Sequence, residues 1–197
     1  MNQLNTIGVD LAKNVIQVSV VNSRNKELLN KELSRKKFSE FLVQQKPSLI
    51  AFESCATAHY WARLALSLGH ETKIIPAKCI IPFRQGHKTD KNDALAVAEA
   101  ARRPNIKLSP IKSIDHQGMQ AIQRSRELLV REKVKLSNHM RGILLEFGMV
   151  IPQGFLALRR RVAELLEHHD AELPAIYRPT LACLIEQFKK LLEDIKF

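Results

Sequence analysis

Four carboxylate side chains lie at positions where a negative charge is unfavourable unless it is paired or binds a cation. Asp10 and Glu53 each lie at the end of an apolar segment, and Asp90 and Asp93 are three residues apart, just before an apolar helical pattern. A carboxylate beside a buried strand is unfavourable unless it is paired or holds a cation. Such oxygens suit Mg²⁺ or Mn²⁺, and two ions about 4 Å apart stabilise the attacking and leaving oxygens in phosphodiester chemistry. Together the four residues predict a site for divalent metal ions.

Each of these residues also has a purely structural interpretation. Asp90 could be a helix N-cap, and Asp93 a partner of the helix dipole in the first turn. Asp10 could be a turn residue, and Glu53 an acid at the entry of a helix. The metal site is favoured because all four occur together with the strand order and the basic charge described next.

The elements that must position these residues begin with three short β-rich segments. The pattern predicts strands at 4–10, 14–22 and 27–33, a helix capped by Ser34, a strand at 48–53, a helix at 57–68 and a strand at 71–75. The order βββαβαβ is that of the ribonuclease-H-like fold, an α/β fold with a mixed sheet. If the first strand and the strand at 48–53 are neighbours, Asp10 and Glu53 open at one edge of the sheet. A helix at 90–102 carries Asp90 and Asp93 in its first turn.

A helical segment follows, in which the apolar period changes. Ile122, Leu129, Leu136 and Ile143 are spaced by seven, and a second set with the same spacing falls between them: Met119, Arg126, Lys133, Met140 and Phe147. This pattern predicts a long helix able to form a coiled coil between copies of the chain. The seam is either interrupted at Arg126 and Lys133, or their charged ends extend away from it. Two more amphipathic helices follow it. We therefore expect two domains, a nuclease-like domain at 1–109 and a helical or coiled-coil segment at 110–197.

The charge of the chain indicates a polyanionic partner. Its 197 residues carry a formal net charge of +11, which favours nucleic acid. The excess lies upstream, because residues 159–196 contain seven basic and seven acidic side chains. We expect phosphate contacts from basic residues near the carboxylates and on the long helix. The alternative is that these residues form a charged face that contacts only solvent. The residues are Lys13, Lys78, Arg84, Lys88, Lys91, Arg124, Arg126, Arg131, Lys133 and Lys135.

The expected compartment follows from features that are missing from the sequence. The three cysteines show no CxxC spacing, the N-terminus has no basic-then-apolar leader, and no apolar run approaches the ~20 residues of a membrane span. This composition predicts a cytoplasmic protein without membrane contact.

Three short blocks carry a resemblance to a known family. They are Gly8–Lys13, Phe52–Ser54 before a helix with Trp61, and Lys88–Ala94, and the segment from Gln120 to Gly148 is similar as well. Over residues 4–152 the chain resembles the DEDD transposases of the insertion-sequence 110/1111 group. The resemblance implies that Asp10, Glu53, Asp90 and Asp93 are the catalytic metal ligands of a RuvC-like nuclease domain in a prokaryotic protein.

The resemblance also implies partners and a departure from the family. It implies DNA strand cleavage and exchange on donor and target DNA at the nucleoid, a structured guide RNA, and assembly into dimers or tetramers. Family members continue into a C-terminal domain with a serine nucleophile, and nothing similar occurs up to Phe197, so the family pattern is C-terminally truncated here. We therefore expect this chain not to complete recombination alone. Two alternatives stay open: a stand-alone Holliday-junction-type resolvase, and a non-catalytic nucleic-acid-binding or oligomerisation module.

Overall fold

The computed structural model describes residues 4–167 and 173–196. It contains two compact units, Met1–Ser113 and Ile114–Phe197. The first unit is built from five strands and four helices: β1 (Thr6–Leu11), β2 (Val15–Val21), β3 (Glu27–Ser34), α1 (Arg35–Gln44), β4 (Leu49–Glu53), α2 (Ala58–Ser67), β5 (Glu71–Ile75), α3 (Ala77–Ile80) and α4 (Asp90–Ala101). A single 3-10 turn, Ile81–Phe83, follows α3.

The strands form one mixed sheet in the order β3-β2-β1-β4-β5. β1 and β3 each pair antiparallel with β2, because loops of a few residues leave room only for hairpins. β4 pairs parallel with β1 and with β5, because a helix crosses over between them. This topology confirms the expected RNase H-like α/β fold and makes β1 and β4 neighbours.

The two faces of the sheet pack against different helices. Ile7, Val9 and Phe52 point to one side, in a core shared with Phe38 of α1 and Trp61 of α2. Successive side chains of a strand alternate between faces. The residues between these core positions therefore point to the other side, where Ala51 packs with alanines and Val97 of α4.

Helix α4 lies unusually close to the sheet because Gly8 has no side chain. A Cβ on Gly8 would come within 2.1 Å of the Ala94 carbonyl oxygen and 2.4 Å of the Ala98 nitrogen. At its other end α4 is tied to β5, since Lys73 Nζ donates to the Ala101 carbonyl at 2.7 Å. Ala94 and Ala98 of α4 therefore lie over Gly8 of β1, and the C-terminal end of the helix lies over β5.

The described part of the second unit forms the α-helices α5 (Ile114–Glu146), α6 (Phe155–Glu167) and α7 (Arg178–Asp194), with a 3-10 turn at Ala175–Tyr177 before α7. Its core joins the end of α5 to the other two helices through residues such as Met140, Leu144, Leu158 and Phe188. Earlier heptad positions of α5 stay exposed, with Met119 at 56% and Ile122 at 64%. Among the described helices, none is long and apolar enough to span a bilayer.

Candidate active site

The parallel register of β1 and β4 brings the first two carboxylates side by side. Val9 pairs with Phe52, and the next residue on each strand is Asp10 or Glu53. Both side chains are half-buried. By alternation they share the side of the sheet that carries Gly8 and Ala51, which is the side covered by α4.

The first turn of α4 supplies the other two carboxylates. Thr89 caps this helix, since its backbone is extended and its hydroxyl accepts from the Asn92 N–H at 3.3 Å. The alternative that Asp90 is the N-cap is therefore wrong, because Asp90 is the first residue of the helix itself. Asp90 is exposed, while Asp93 is half-buried and forms an ion pair with Arg84 at 3.3 Å.

The electrostatics of Asp10 show that the four carboxylates gather in one place. Burial raises the pKa of Asp10 to about 6, and the negative charges of Asp90, Asp93 and Glu53 add to the rise while Lys88 opposes it. A neighbouring negative charge disfavours the ionised form of a carboxyl and so raises its pKa. The fold therefore unites residues that are up to 83 positions apart in the sequence.

Cys55 lies at the margin of this cluster. Although much of the residue is exposed, partial burial of its thiol, followed by the charges of Glu53 and Asp10, raises its pKa to about 11. The thiol is therefore protonated at neutral pH, and the cysteine is not an activated nucleophile.

The donor set suits a hard divalent cation in its chemistry, because it consists of carboxylate oxygens. The side chains are not arranged as a closed coordination shell: within residues 4–167 and 173–196, no three His, Cys, Asp or Glu side chains are placed to hold a metal ion. One reason is visible in the ion pair, because Arg84 engages an Asp93 oxygen. The cluster has the composition of a metal site without the geometry of a closed one.

The predicted phosphate-contacting residues fall into two groups, one in each unit. Around the carboxylates, Lys13, Lys78, Lys88 and Lys91 are exposed, whereas Arg84 is committed to Asp93. On α5, Lys135 pairs with Glu132 at 2.9 Å, and Lys133 is half-buried. The others on that helix are exposed: Arg124, Arg126 and Arg131.

A polar network beside the carboxylates was not foreseen from the sequence. Asn30 of β3 accepts from Gln17 Nε2 at 2.6 Å, and its own amide donates to Glu27 at 2.7 Å and to the Lys91 carbonyl of α4 at 3.1 Å. Ser19 also donates to Glu27, at 2.7 Å. The signal that could have revealed it is the pair Gln17 and Ser19, two polar residues inside a strand that is otherwise β-branched.

Fold and site together define an α/β protein of the RNase H-like class, with a carboxylate cluster where β1, β4 and α4 meet. A family model for DEDD transposases of IS110 elements, described as a transposase, matches residues 7–149. The chain belongs to this family of transposases.

Curated relatives agree with this assignment. The chain is 38% identical over 196 residues to the transposase for insertion sequence element IS1328 of Yersinia enterocolitica, covering 100% of this chain and 58% of that protein. It is 38% identical to a probable family 20 transposase of Pseudomonas aeruginosa, over 98% of this chain and 56% of the relative. It is 28% identical to the transposase for IS1111A of Coxiella burnetii, over 93% and 50%. The chain thus spans little more than half the length of these relatives.

One solved structure shows a weaker similarity. T. thermophilus RuvC in complex with Holliday junction substrate matches with a TM-score of 0.39 and 12% identity, covering 54% of this chain and 99% of that chain. The fold assignment rests on the strand order rather than on this similarity.

Proposed function

We propose that this chain supplies the metal-binding part of a transposase active site, which cleaves and exchanges DNA strands during transposition of an insertion sequence. The observation that carries the proposal is the convergence of Asp10, Glu53, Asp90 and Asp93 in a member of a transposase family. Four neighbouring carboxylates repel one another, and this repulsion is a cost to the fold unless a cation offsets it. A site that binds divalent cations explains why the fold tolerates this cost.

The four carboxylates are proposed as ligands of Mg²⁺ or Mn²⁺. When bound, such ions lower the pKa of the attacking water or hydroxyl and stabilise the charge that develops on the phosphate. Asp10 must lose its proton to act as a metal ligand, so metal binding at this residue competes with protonation of its carboxylate below about pH 6. For Asp93 to bind a metal ion, its ion pair with Arg84 must break. The guanidinium of Arg84 can then donate hydrogen bonds to a phosphate oxygen instead.

DNA is the proposed substrate, both as donor and as target. Lys13, Lys78, Lys88 and Lys91 leave exposed positive charge near the carboxylates, and such residues attract phosphates irrespective of sequence. The basic residues of α5 form a second set of proposed phosphate contacts. A structured guide RNA is a further proposed partner, in keeping with the family resemblance, and the place of action is the bacterial cytoplasm at the nucleoid.

Self-association through α5 is also proposed. Met119 and Ile122 belong to the heptad pattern of this helix, yet they are exposed. Apolar heptad positions are buried when two such helices pair. A homo-oligomer that pairs these helices would cover them.

Binding of Mn²⁺, followed by electron paramagnetic resonance at pH 7.5, tests the proposed site. Asp90→Asn and Asp93→Asn should each weaken binding at least about tenfold, because each removes a charged ligand. Glu99→Gln is the matched control, because Glu99 lies near the other end of the same helix. Equal affinities in all four proteins would contradict the proposed site.

Nicking of supercoiled DNA in Mg²⁺ separates a catalytic role from a purely binding one. Metal-dependent nicking that disappears in Asp90→Ala supports catalysis. DNA binding without nicking, unchanged by Asp10→Asn, indicates the non-catalytic module instead.

A further inference from the structure

We infer that Asn30 is a positioning residue, which with Gln17 fixes the first turn of α4 against Asp10. The inference rests on the proposed metal site, because its consequence for function is the placement of Asp90 and Asp93. It assigns a role to side chains of β2 and β3, strands that contribute no carboxylate to the cluster.

Asn30 is the centre of the network that joins the sheet to α4. Its Nδ2 donates at 3.1 Å to the carbonyl of Lys91, which lies between Asp90 and Asp93 in the first turn. The same Nδ2 donates at 2.7 Å to Glu27 Oε1, which also accepts from Ser19. Strand and helix are thereby linked across 61 residues of sequence.

The network leaves a single orientation for both amides. Because Asn30 Nδ2 donates to two acceptors, its Oδ1 must face Gln17, and Gln17 must present its Nε2 at 2.6 Å. The Oε1 of Gln17 is then buried, and it has no hydrogen-bond partner in the part of the chain that the structure describes. Gln17 pairs with Asp10 across the β1–β2 ladder and is 2% exposed. A rigid polar side chain therefore stands directly beside the central carboxylate.

The hydrogen bond from Asn30 to the Lys91 carbonyl is called the tether. It matters because the first turn of a helix is its least stable part. The first N–H groups of a helix have no partner within it, and such ends open with little free energy. Thr89, His87 and Arg84 hold this turn through Asn92 and Asp93, and all three lie in the segment that precedes the helix. The hydrogen bond from Asn30 holds the turn from the side of the sheet, and so sets where Asp90 and Asp93 lie relative to Asp10.

The test combines a local measurement of order with a measurement of metal affinity. Asn30→Ala removes the whole tether, and Asn30→Leu keeps about the size of the side chain but removes its hydrogen-bonding groups without adding a charge. Glu32→Ala is the matched control, because Glu32 is an exposed residue two positions along the same strand. All variants are compared in the whole 197-residue chain, after circular dichroism has verified equal helix content.

Amide hydrogen exchange in residues 89–95 should be faster by about fivefold in both Asn30 variants, as expected for the loss of one hydrogen bond, and unchanged in Glu32→Ala. Mn²⁺ affinity, measured far below the melting temperature, should fall about tenfold in the Asn30 variants. A purely structural role would lower the melting temperature without changing the affinity of the folded protein, and that result would overturn the inference.

The two measurements also separate this inference from the proposed function. If the unsubstituted protein binds no Mn²⁺, the proposed metal site fails, and the exchange rates alone then decide whether Asn30 orders the turn. If Mn²⁺ binds but exchange in residues 89–95 is the same in Asn30→Ala and the parent, the tether is refuted and the metal site stands.

Discussion

Replacing Asp10 by asparagine should make the metal-free protein more stable at pH 8. The raised pKa of Asp10 means that the folded state holds this proton more tightly than the unfolded chain does. The stabilisation linked to that proton is complete below the ordinary value of 3.8 and is lost as the pH rises through about 6. At pH 8 the folded protein therefore carries an unfavourable charge at Asp10, which asparagine removes at nearly constant volume.

The expected gain follows from the size of the pKa shift. A rise from 3.8 to about 6 corresponds to about 3 kcal/mol without screening. The site is only half-buried, so solvent screening reduces this figure to about 1–2 kcal/mol. Asp10→Asn should therefore raise the free energy of unfolding by about 1–2 kcal/mol at pH 8, and the difference should vanish near pH 4.

The fluorescence of Trp61 reports on unfolding of the first unit. It is the single tryptophan of the chain and is 3% exposed, in the core of the first unit. Urea unfolding followed by its fluorescence, in a chelating buffer at pH 4 and pH 8, gives the two free energies. Glu40→Gln, at an exposed position on α1, controls for the loss of one negative charge. An Asp10→Asn protein that is equally or less stable than the parent at pH 8 would refute the cost of ionising Asp10 in the folded state, which burial and the neighbouring carboxylates impose.

Three further predictions test other parts of the structure. Gly8→Ala should destabilise the first unit by about 3 kcal/mol or more in the same fluorescence assay, because its Cβ would meet α4 backbone atoms at 2.1 and 2.4 Å. Gly118→Ala, on α5 with open space around it, should instead stabilise by about 0.5–1 kcal/mol by circular dichroism; similar losses in both variants would contradict the close approach of α4. Replacing Arg124, Arg126 and Arg131 by glutamine should lower the salt dependence of DNA binding by about 0.9 per lost contact, measured by fluorescence anisotropy, and an unchanged slope would mean that these exposed residues do not touch phosphates. Ile122→Lys should shift sedimentation towards the monomer if α5 pairs between copies, whereas Glu127→Lys on the same helix should not; identical sedimentation of Ile122→Lys and the parent would argue against pairing through this seam.

The strand order could be predicted because it depends on local signals. Loops of a few residues between Thr6 and Ser34 leave only hairpins, and a helix between two strands gives a parallel crossover. Once β1 and β4 are neighbours, the equivalent positions of Asp10 and Glu53 follow from their places in the strands. The period of the apolar residues likewise indicated the long helix α5.

The remaining features depend on contacts that a local pattern does not encode. Thr89 and Asp90 are both good N-cap residues, and only the extended backbone of Thr89 decides between them. Arg84 was expected to meet a phosphate, but it lies beside Asp93, nine residues away. The Asn30 network depends on a diagonal pair between strands and on a helix far along the chain, so neither propensity nor spacing could reveal it.

The geometry of the carboxylate cluster depends on Gly8, which has no side chain. Gly8 lets the backbone of α4 rest directly on β1, and the depth of that contact sets how near the first turn comes to Asp10. Any side chain at position 8 would lift the helix away from β1 and carry Asp90 and Asp93 with it. The proposed ligands must be held to within about 0.5 Å for function. Gly8, Lys73 and the inferred tether at Asn30 all act on the position of α4. They fix the depth, the far end and the first turn of α4, and thereby the separation between the two halves of the site.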